Sequence, residues 1–170
     1  MDCVIREATL ADAPALLEIY RPNVEDSTVS FETVAPTLAE FTARMAKVAA
    51  RWRWLVAEDR GRILGYVYGS EHRERAAYRY SVDTTVYIHA DARRRGLGGR
   101  LYLALFEELA ALGYCQAYAG VTLPNEPSVA LHRSLGFEPV GVFHRAGRKF
   151  GQWRDVAWFE RPLRQTPLCE

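Results

Sequence analysis

Cysteine is the first scarcity. Cys3, Cys115 and Cys169 are the three thiols in 170 residues, an odd number, widely separated and without a C-x-x-C pair. That pattern excludes a disulfide-stapled framework and a cysteine-based metal knuckle, and reduced thiols in a cytoplasmic compartment are expected. Long apolar runs are missing as well: nowhere do about 18 apolar residues stand together, so no membrane span is expected. The opening stretch MDCVIREAT carries acidic residues and no apolar core, so no targeting leader is expected. An excess of one charge is also lacking. A net charge of +1 gives no global field for nucleic acid or an anionic membrane, and neither is expected as a partner. The four histidines share no H-x-x-x-H spacing, and no cysteine stands at ligand spacing from one, so no metal is expected. Two common phosphate loops are absent too. A G-x-G-x-x-G beginning at Gly96 would need glycine where Leu101 stands, and no Gly-Lys-Ser or Gly-Lys-Thr triplet occurs.

What is present suits one globular domain: 49% hydrophobic and 25% charged residues, over a length that buries a full core. That domain is expected over residues 1–163, with RQTPLCE, residues 164–170, as a loose tail. No repeat or low-complexity tract divides it. The informative stretch is 82–112, VDTTVYIHADARRRGLGGRLYLALFEELAAL. Val82 to Ile88 is apolar and β-branched, which predicts a strand. Leu97, Leu101, Leu105, Leu109 and Leu112 recur at helical spacing. Between them lie Arg93, Arg94, Arg95, Gly96, Gly98 and Gly99. A strand that passes through glycines into a helix N-terminus is an anion trap. Residues without Cβ let successive N–H groups converge on phosphate oxygens, and the helix dipole adds to the pull. The arginines supply charge.

The rest reads as alternating elements. Val4 to Ala8 is a short strand. Thr9 and Asp12 form a capping box, and Pro14 belongs to the first turn of a helix through Leu16, Leu17, Ile19 and Tyr20 that should stop near Pro22. In the polar connection that follows, Phe31 either covers a site or plugs the core. Thr37 and Glu40 box a second helix through Phe41, Met45 and Val48. Trp54–Ala57 and Ile63–Tyr68 are strands around the turn Asp59–Arg62. EHRERAA, residues 71–77, is a charged connection; if extended, Arg73 and Arg75 point to one side. Paired guanidinium groups suit a carboxylate or phosphinate, and two solvated arginines would look the same. After the central helix come a strand from Tyr114 to Val121 and a helix with Asn125 as N-cap, Pro127 in its first turn and Gly136 as C-cap. Strands near Pro139–His144 and Trp153–Glu160 flank AGRKFG, which reads as a turn.

Arg93-Arg94-Arg95-Gly96-Leu97-Gly98 resembles the R/Q-x-x-G-x-G/A signature of the GNAT superfamily of N-acetyltransferases, whose loop amides hold the pyrophosphate of coenzyme A. The order β-α-α-β-β-β-α-β-α-β-β matches that superfamily. Asn125–Phe137, N-x-x-S-x-x-L-H-x-x-L-G-F, is similar to the segment whose asparagine meets the pantetheine arm. VDTTVYI, RRRGLG, LPNEPSVALHRSLGF, STVSF and AGRKFGQWRDVAWF together resemble the phosphinothricin N-acetyltransferase branch, over Ile5 to Leu163. The resemblance implies an α/β (α+β) GNAT fold: a central mixed, mostly antiparallel sheet of about seven strands flanked by four helices. It implies acetyl-CoA as co-substrate and, as acceptor, the α-amine of phosphinothricin, methionine sulfone or methionine sulfoximine. Val86, Tyr87 and Ile88 would line the acetyl and pantetheine path. Arg94, Arg95, Gly96, Leu97, Gly98 and Gly99 would hold the pyrophosphate, and Asn125 the pantetheine. Arg73, Arg75 and Tyr78 would bind the acceptor's acidic groups, with Phe31 and Tyr102 beside it. A homodimer is implied as well.

An alkylammonium has no lone pair, so acetyl transfer requires removal of a proton before attack on the thioester. Asp83 is the candidate base. The branch has glutamate there; aspartate is one methylene shorter and is expected to act through a water, or else to pair with an arginine of EHRER. A backbone N–H near Val86 is the expected oxyanion donor. His132 stands where many superfamily members carry a tyrosine acid, and serves as acid or base at neutral pH or as a structural residue. His72, His89 and His144 match nothing and are expected on the surface or in packing; Tyr102 is core or pocket. Three further readings stay open: a non-catalytic acyl-CoA binder, an acetyltransferase for a protein N-terminus or polyamine, and a nucleic-acid module using Arg93, Arg94, Arg95 and Arg100. The paired arginines favour an anionic small molecule.

Overall fold

The computed structural model describes residues 3–165, so most of the expected tail, 166–170, lies outside the described residues. Seven strands form one sheet in the order β1-β2-β3-β4-β5-β7-β6. They are β1 (Val4–Glu7), β2 (Trp54–Asp59), β3 (Arg62–Glu71), β4 (Ser81–Ile88), β5 (Gln116–Thr122), β6 (Glu138–Lys149) and β7 (Gln152–Pro162). Every pairing is antiparallel except β4 with β5. The helices α1 (Ala13–Glu25), α2 (Leu38–Ala49), α3 (Leu97–Ala111) and α4 (Glu126–Ser134) complete the expected element order.

Strand alternation decides which helix covers which face. Val82 of β4 faces α3, and Gly69 makes the room: a Cβ there would lie 3.0 Å from Val82 Cγ2 and 3.2 Å from Leu109 Cδ2. Leu101, Leu105 and Leu109 of α3 are fully buried on that side, each worth roughly 1.5–3 kcal/mol of burial. α4 shares the face, since its Val129 and Leu131, with Leu135 and Phe137 just after it, pack in the same apolar cluster. The opposite face belongs to α1 and α2. Tyr87 of β4 meets Tyr20 of α1 at a ring separation of 5.1 Å, and Phe41 of α2 meets Trp54 at 5.9 Å.

Both capping boxes form, at Thr9–Asp12 and Thr37–Glu40, and Asp59–Arg62 is a tight turn with Arg60 and Gly61 at φ 52° and 79°, the primed geometry that matches strand twist. Two expected boundaries move. α1 does not stop at Pro22 but continues to Glu25. Proline removes one N–H, yet Asn23 Nδ2 donates to Ile19 O at 2.8 Å and Val24 is fully buried, so packing outweighs the break. AGRKFG is mostly strand rather than turn: β6 runs to Lys149, and the reversal is confined to Phe150 and Gly151, at φ 49° and 74°. An irregularity between Phe143 and Gly147 absorbs the surplus residues. Asp155 closes it, accepting from Arg145 N at 2.8 Å beside His144 Nδ1 at 2.9 Å.

Candidate active site

The site begins where a pairing ends. β4 and β5 are in register only from Ser81↔Gln116 to Asp83↔Tyr118. Thr84 Oγ1 donates to Tyr118 O at 3.0 Å, and the strands part beyond it. His89 N–H turns toward β3, donating to Leu64 O at 2.9 Å. Alternation then directs the main-chain groups of Val86 and Ile88 away from β3, into the gap. A hollow of about 70 Å³ between the diverging strands is lined by Thr84, Val86, Tyr102, Asn125, Ser128 and His132, among others.

A larger cleft of about 540 Å³ adjoins it, sharing Val86, Tyr87, Asn125 and Ser128, and reaches Ile88, Arg93, Arg94, Gly96, Leu97, Gly98 and Gly99. The sequence shapes this end. Arg94 and Gly96 both take left-handed backbone, φ 60° and 72°, and Gly96 is the N-cap of α3. Its first N–H groups have no partners one turn back and face outward with the positive end of the helix dipole. A Cβ at Gly96 or Gly99 would meet no protein atom within 4 Å, whereas one at Gly98 would lie 3.1 Å from Leu131 Cδ2. Gly98 thus lets α4 approach α3, and Gly99 opens onto the cleft. Arg95 is not among the side chains that line the cleft. Asn125 lines both hollows while its Oδ1 accepts from Ser128 N at 3.2 Å, so its Nδ2 is the amide end left for a ligand.

Asp83 and His132 lie on opposite faces of β4. Asp83 shares the α1/α2 face with Thr85 and Tyr87, cross-strand from Ser70. Burial raises its carboxyl, and a hydrogen bond from His72 opposes the rise. His72 Nδ1 is 2.6 Å from Asp83 Oδ1, and the imidazole stacks on Tyr118 at 4.2 Å with Tyr78 at its edge. His72 is thus a packing residue, one of the two places the sequence leaves open for it, and it packs directly against Asp83. The signal was cross-strand register: His72 follows Ser70, Asp83's partner, by two residues. His89 and His144 do lie at the surface, beside Asp91 and Asp155.

His132 is buried between Tyr102, Phe137 and Phe159. Its Nδ1 is 2.7 Å from Ser128 O. A carbonyl only accepts, so Nδ1 carries the hydrogen, and Nε2 accepts from Tyr102 Oη at 3.0 Å. Burial lowers the imidazole's pKa and holds it neutral, and burial likewise pushes the Tyr102 phenol well up. Tyr102 is thus both core and pocket. It belongs to the His132 side of the gap, across β4 from Asp83.

Arg73, Arg75 and Tyr78 line one small hollow with His72, although residues 72–75 bend and are not an extended strand. Phe31 lies against Gly147 of β6, and its neighbour Ser30 is held by Tyr20 Oη at 2.8 Å and by the buried Lys149 ammonium at 2.7 Å. From that loop Val29, which the sequence did not single out, reaches both hollows.

A sheet that splits beside the glycine-bearing N-terminus of a helix is the arrangement that the resemblance to acyl-CoA-dependent N-acetyltransferases implies. Residues 5–158 match the family model described as an acetyltransferase (GNAT) domain, and the chain belongs to that family. Among curated relatives, the phosphinothricin N-acetyltransferase of Streptomyces viridochromogenes is 39% identical, over 92% of this chain and 86% of that protein. The L-methionine sulfoximine/L-methionine sulfone acetyltransferase of Pseudomonas paraeruginosa is 35% identical, over 98% of both chains. The crystal structure of a GNAT superfamily phosphinothricin acetyltransferase from Sinorhizobium meliloti in complex with AcCoA superposes with a TM-score of 0.94 at 35% identity, covering 99% of this chain and 95% of that one.

Proposed function

We propose that this protein transfers the acetyl group of acetyl-CoA to the α-amine of a small acidic amino acid or analogue, of the phosphinothricin, methionine sulfone or methionine sulfoximine type. The observation that carries this reading is the end of β4–β5 pairing at the half-buried Asp83, beyond which a gap opens that runs to the glycine-bearing start of α3. The names of the relatives agree with it.

The residues present fit the coenzyme. N–H groups of Leu97, Gly98 and Gly99, with Arg94 nearby, would hold its diphosphate; main-chain groups of Val86 and Ile88 and the Asn125 amide would hold the pantetheine. Bound acetyl-CoA supplies the thioester carbonyl. Asp83 takes one proton from the acceptor's ammonium through a water and passes it to solvent. The freed lone pair forms the C–N bond as the C–S bond breaks, a second amine proton goes to the sulfur, and the third stays on the amide. Val86 N–H meets the developing oxyanion. His132 with Tyr102 holds a proton beside the leaving sulfur, and Arg73, Arg75 and Tyr78 receive the acceptor's acidic groups.

A homodimer accompanies this reading. Val140, Val142, Phe143, Phe150 and Trp153 of the β6–β7 hairpin are 57%, 42%, 56%, 61% and 51% exposed, an apolar surface that self-association would cover. Sedimentation as a monomer at micromolar concentration would refute it. A cytoplasmic location suits the unpaired Cys3 and Cys115.

The deciding assay supplies acetyl-CoA with phosphinothricin, methionine sulfone, methionine sulfoximine or glutamate and detects free thiol. Release with at least one acidic acceptor is expected. Thiol release with spermidine or a peptide N-terminus alone would overturn the acceptor class, and none with any amine would leave an acyl-CoA binder.

A further inference from the structure

We propose that His72 is a positioning residue for Asp83, the two acting as a carboxylate–imidazole pair in which His72 Nδ1–H fixes Oδ1 and leaves Oδ2 to receive the acceptor's proton. The inference rests on Asp83 being the base, and it concerns a residue to which neither the family resemblance nor the sequence gives a part.

Three observations carry it. The contact is short, 2.6 Å, at the short edge of the roughly 2.7–2.9 Å typical of charge-assisted N–H···O bonds. A carboxylate offers only lone pairs, so with Asp83 ionised the hydrogen must sit on Nδ1. The imidazole is also held rather than free. Its ring lies on Tyr118 at an interplanar angle of 12°, Tyr78 meets its edge, and the side chain is 10% exposed. Such a clamp is what orientation requires, since a mobile histidine on the surface would cost entropy for each alignment.

The third observation is the length of the side chain. A glutamate, which the resemblance implies at this position, would carry its carboxylate one methylene further from β4. Aspartate stops short, and His72 occupies the space left beside Oδ1. The shortened carboxylate thereby gains a partner whose hydrogen bond favours the ionised form, against the burial that raises its pKa. The groups that face the pair are Arg73 and Tyr78 from the same connection, Ser70 across β3 and Tyr118 on β5, with Glu160 of β7 beyond Tyr118. Arg73 acts in the same sense as His72, favouring the ionised carboxylate.

The proton balance is simple. One proton leaves the acceptor's ammonium, crosses a water to Asp83 Oδ2 and is later lost to solvent; Nδ1–H of His72 stays where it is. Removing that donor makes the carboxylate harder to ionise, so the acidic limb of kcat/KM must move to higher pH.

The test uses the full chain in two measurements. Two-bond proton–nitrogen correlation of the imidazoles in the free protein should show His72 protonated at Nδ1 at neutral pH, and Asp83→Ala, which removes the acceptor, should abolish that fixed tautomer. A His72 carrying its hydrogen on Nε2 in the wild type would overturn the proposal without any turnover being measured. The second measurement is a pH profile of kcat/KM with methionine sulfone. His72→Phe keeps a ring on Tyr118 and removes the donor. It should lose about tenfold or more in kcat/KM near pH 6.5 and less near pH 9, with acetyl-CoA affinity unchanged. Adding Asp83→Glu to His72→Phe should recover part of the loss, because the longer side chain reaches without a partner. An equal loss at every pH and no recovery would reduce His72 to a packing residue. A wild type inactive on every acidic acceptor would refute the acceptor reading and leave the tautomer result as the judge of the pair.

Discussion

Thr84 Oγ1 donates to Tyr118 O across the last rung between β4 and β5. A hydroxyl here stands in for a main-chain N–H, and it marks the residue at which the sheet stops being continuous. Thr84→Val keeps the shape and removes the donor, leaving the carbonyl short of a partner. A loss of about 1–2 kcal/mol is expected, seen as a fall of a few degrees in thermal denaturation. The KM for acetyl-CoA should rise as well, because the apex of the gap loses its clasp.

Gly99 separates ligand contacts from protein contacts. Nothing in the protein lies within 4 Å of a Cβ built there, and alanine favours the helix it would join by about 1 kcal/mol. Gly99→Ala should therefore leave stability level or raised while weakening acetyl-CoA binding about tenfold or more. Calorimetric titration against a melting curve checks both halves. An unchanged dissociation constant would move the diphosphate elsewhere.

His132 links stability to pH. Its folded pKa is lowered by burial, so below its ordinary value the unfolded chain binds a proton that the folded chain resists. Stability must then fall as pH drops through about 6.5. His132→Phe removes this slope, and chemical denaturation at pH 7 and pH 5.5 should show a smaller difference than in the wild type. The same variant should lower kcat by about tenfold or more with acetyl-CoA affinity held.

Arg75 lines the hollow with Arg73 and Tyr78. Arg75→Ala should raise the KM for an acidic amino acid by about tenfold with kcat little changed, since a charge-assisted bond to the ground state is worth roughly 1.5–3 kcal/mol. An unaltered KM for methionine sulfone would remove Arg75 from the acceptor's path.

Much of this was legible in the sequence because local rules and tertiary demands agreed. The capping boxes, the Asp59–Arg62 turn and the glycine-bearing start of α3 are short-range chemistry. So is the end of α4, where Gly136 N donates to Arg133 O and Phe137 N to His132 O, at 3.0 and 3.1 Å, the pair of bonds that glycine at φ 78° permits. What escaped notice depended on register. Whether His72 falls beside Asp83 is fixed by the β3–β4 pairing, and no pattern within EHRERAA records it. Pro22 misled for a similar reason: the rule against proline in helices is local, while the burial of Asn23 and Val24 that overrides it comes from elsewhere in the chain.

The ring of Phe31 occupies the volume a side chain at 147 would need; a Cβ there would come within 2.6 Å of Phe31 Cδ2. Positions 31 and 147 are therefore a single choice made at two distant points of the chain. A variant with alanine at 147 must give up the aromatic ring or let go of the loop, and Lys149 would surrender Ser30 with it. The placing of the loop whose Val29 lines both hollows is in this sense written in the hairpin at the far end of the polypeptide.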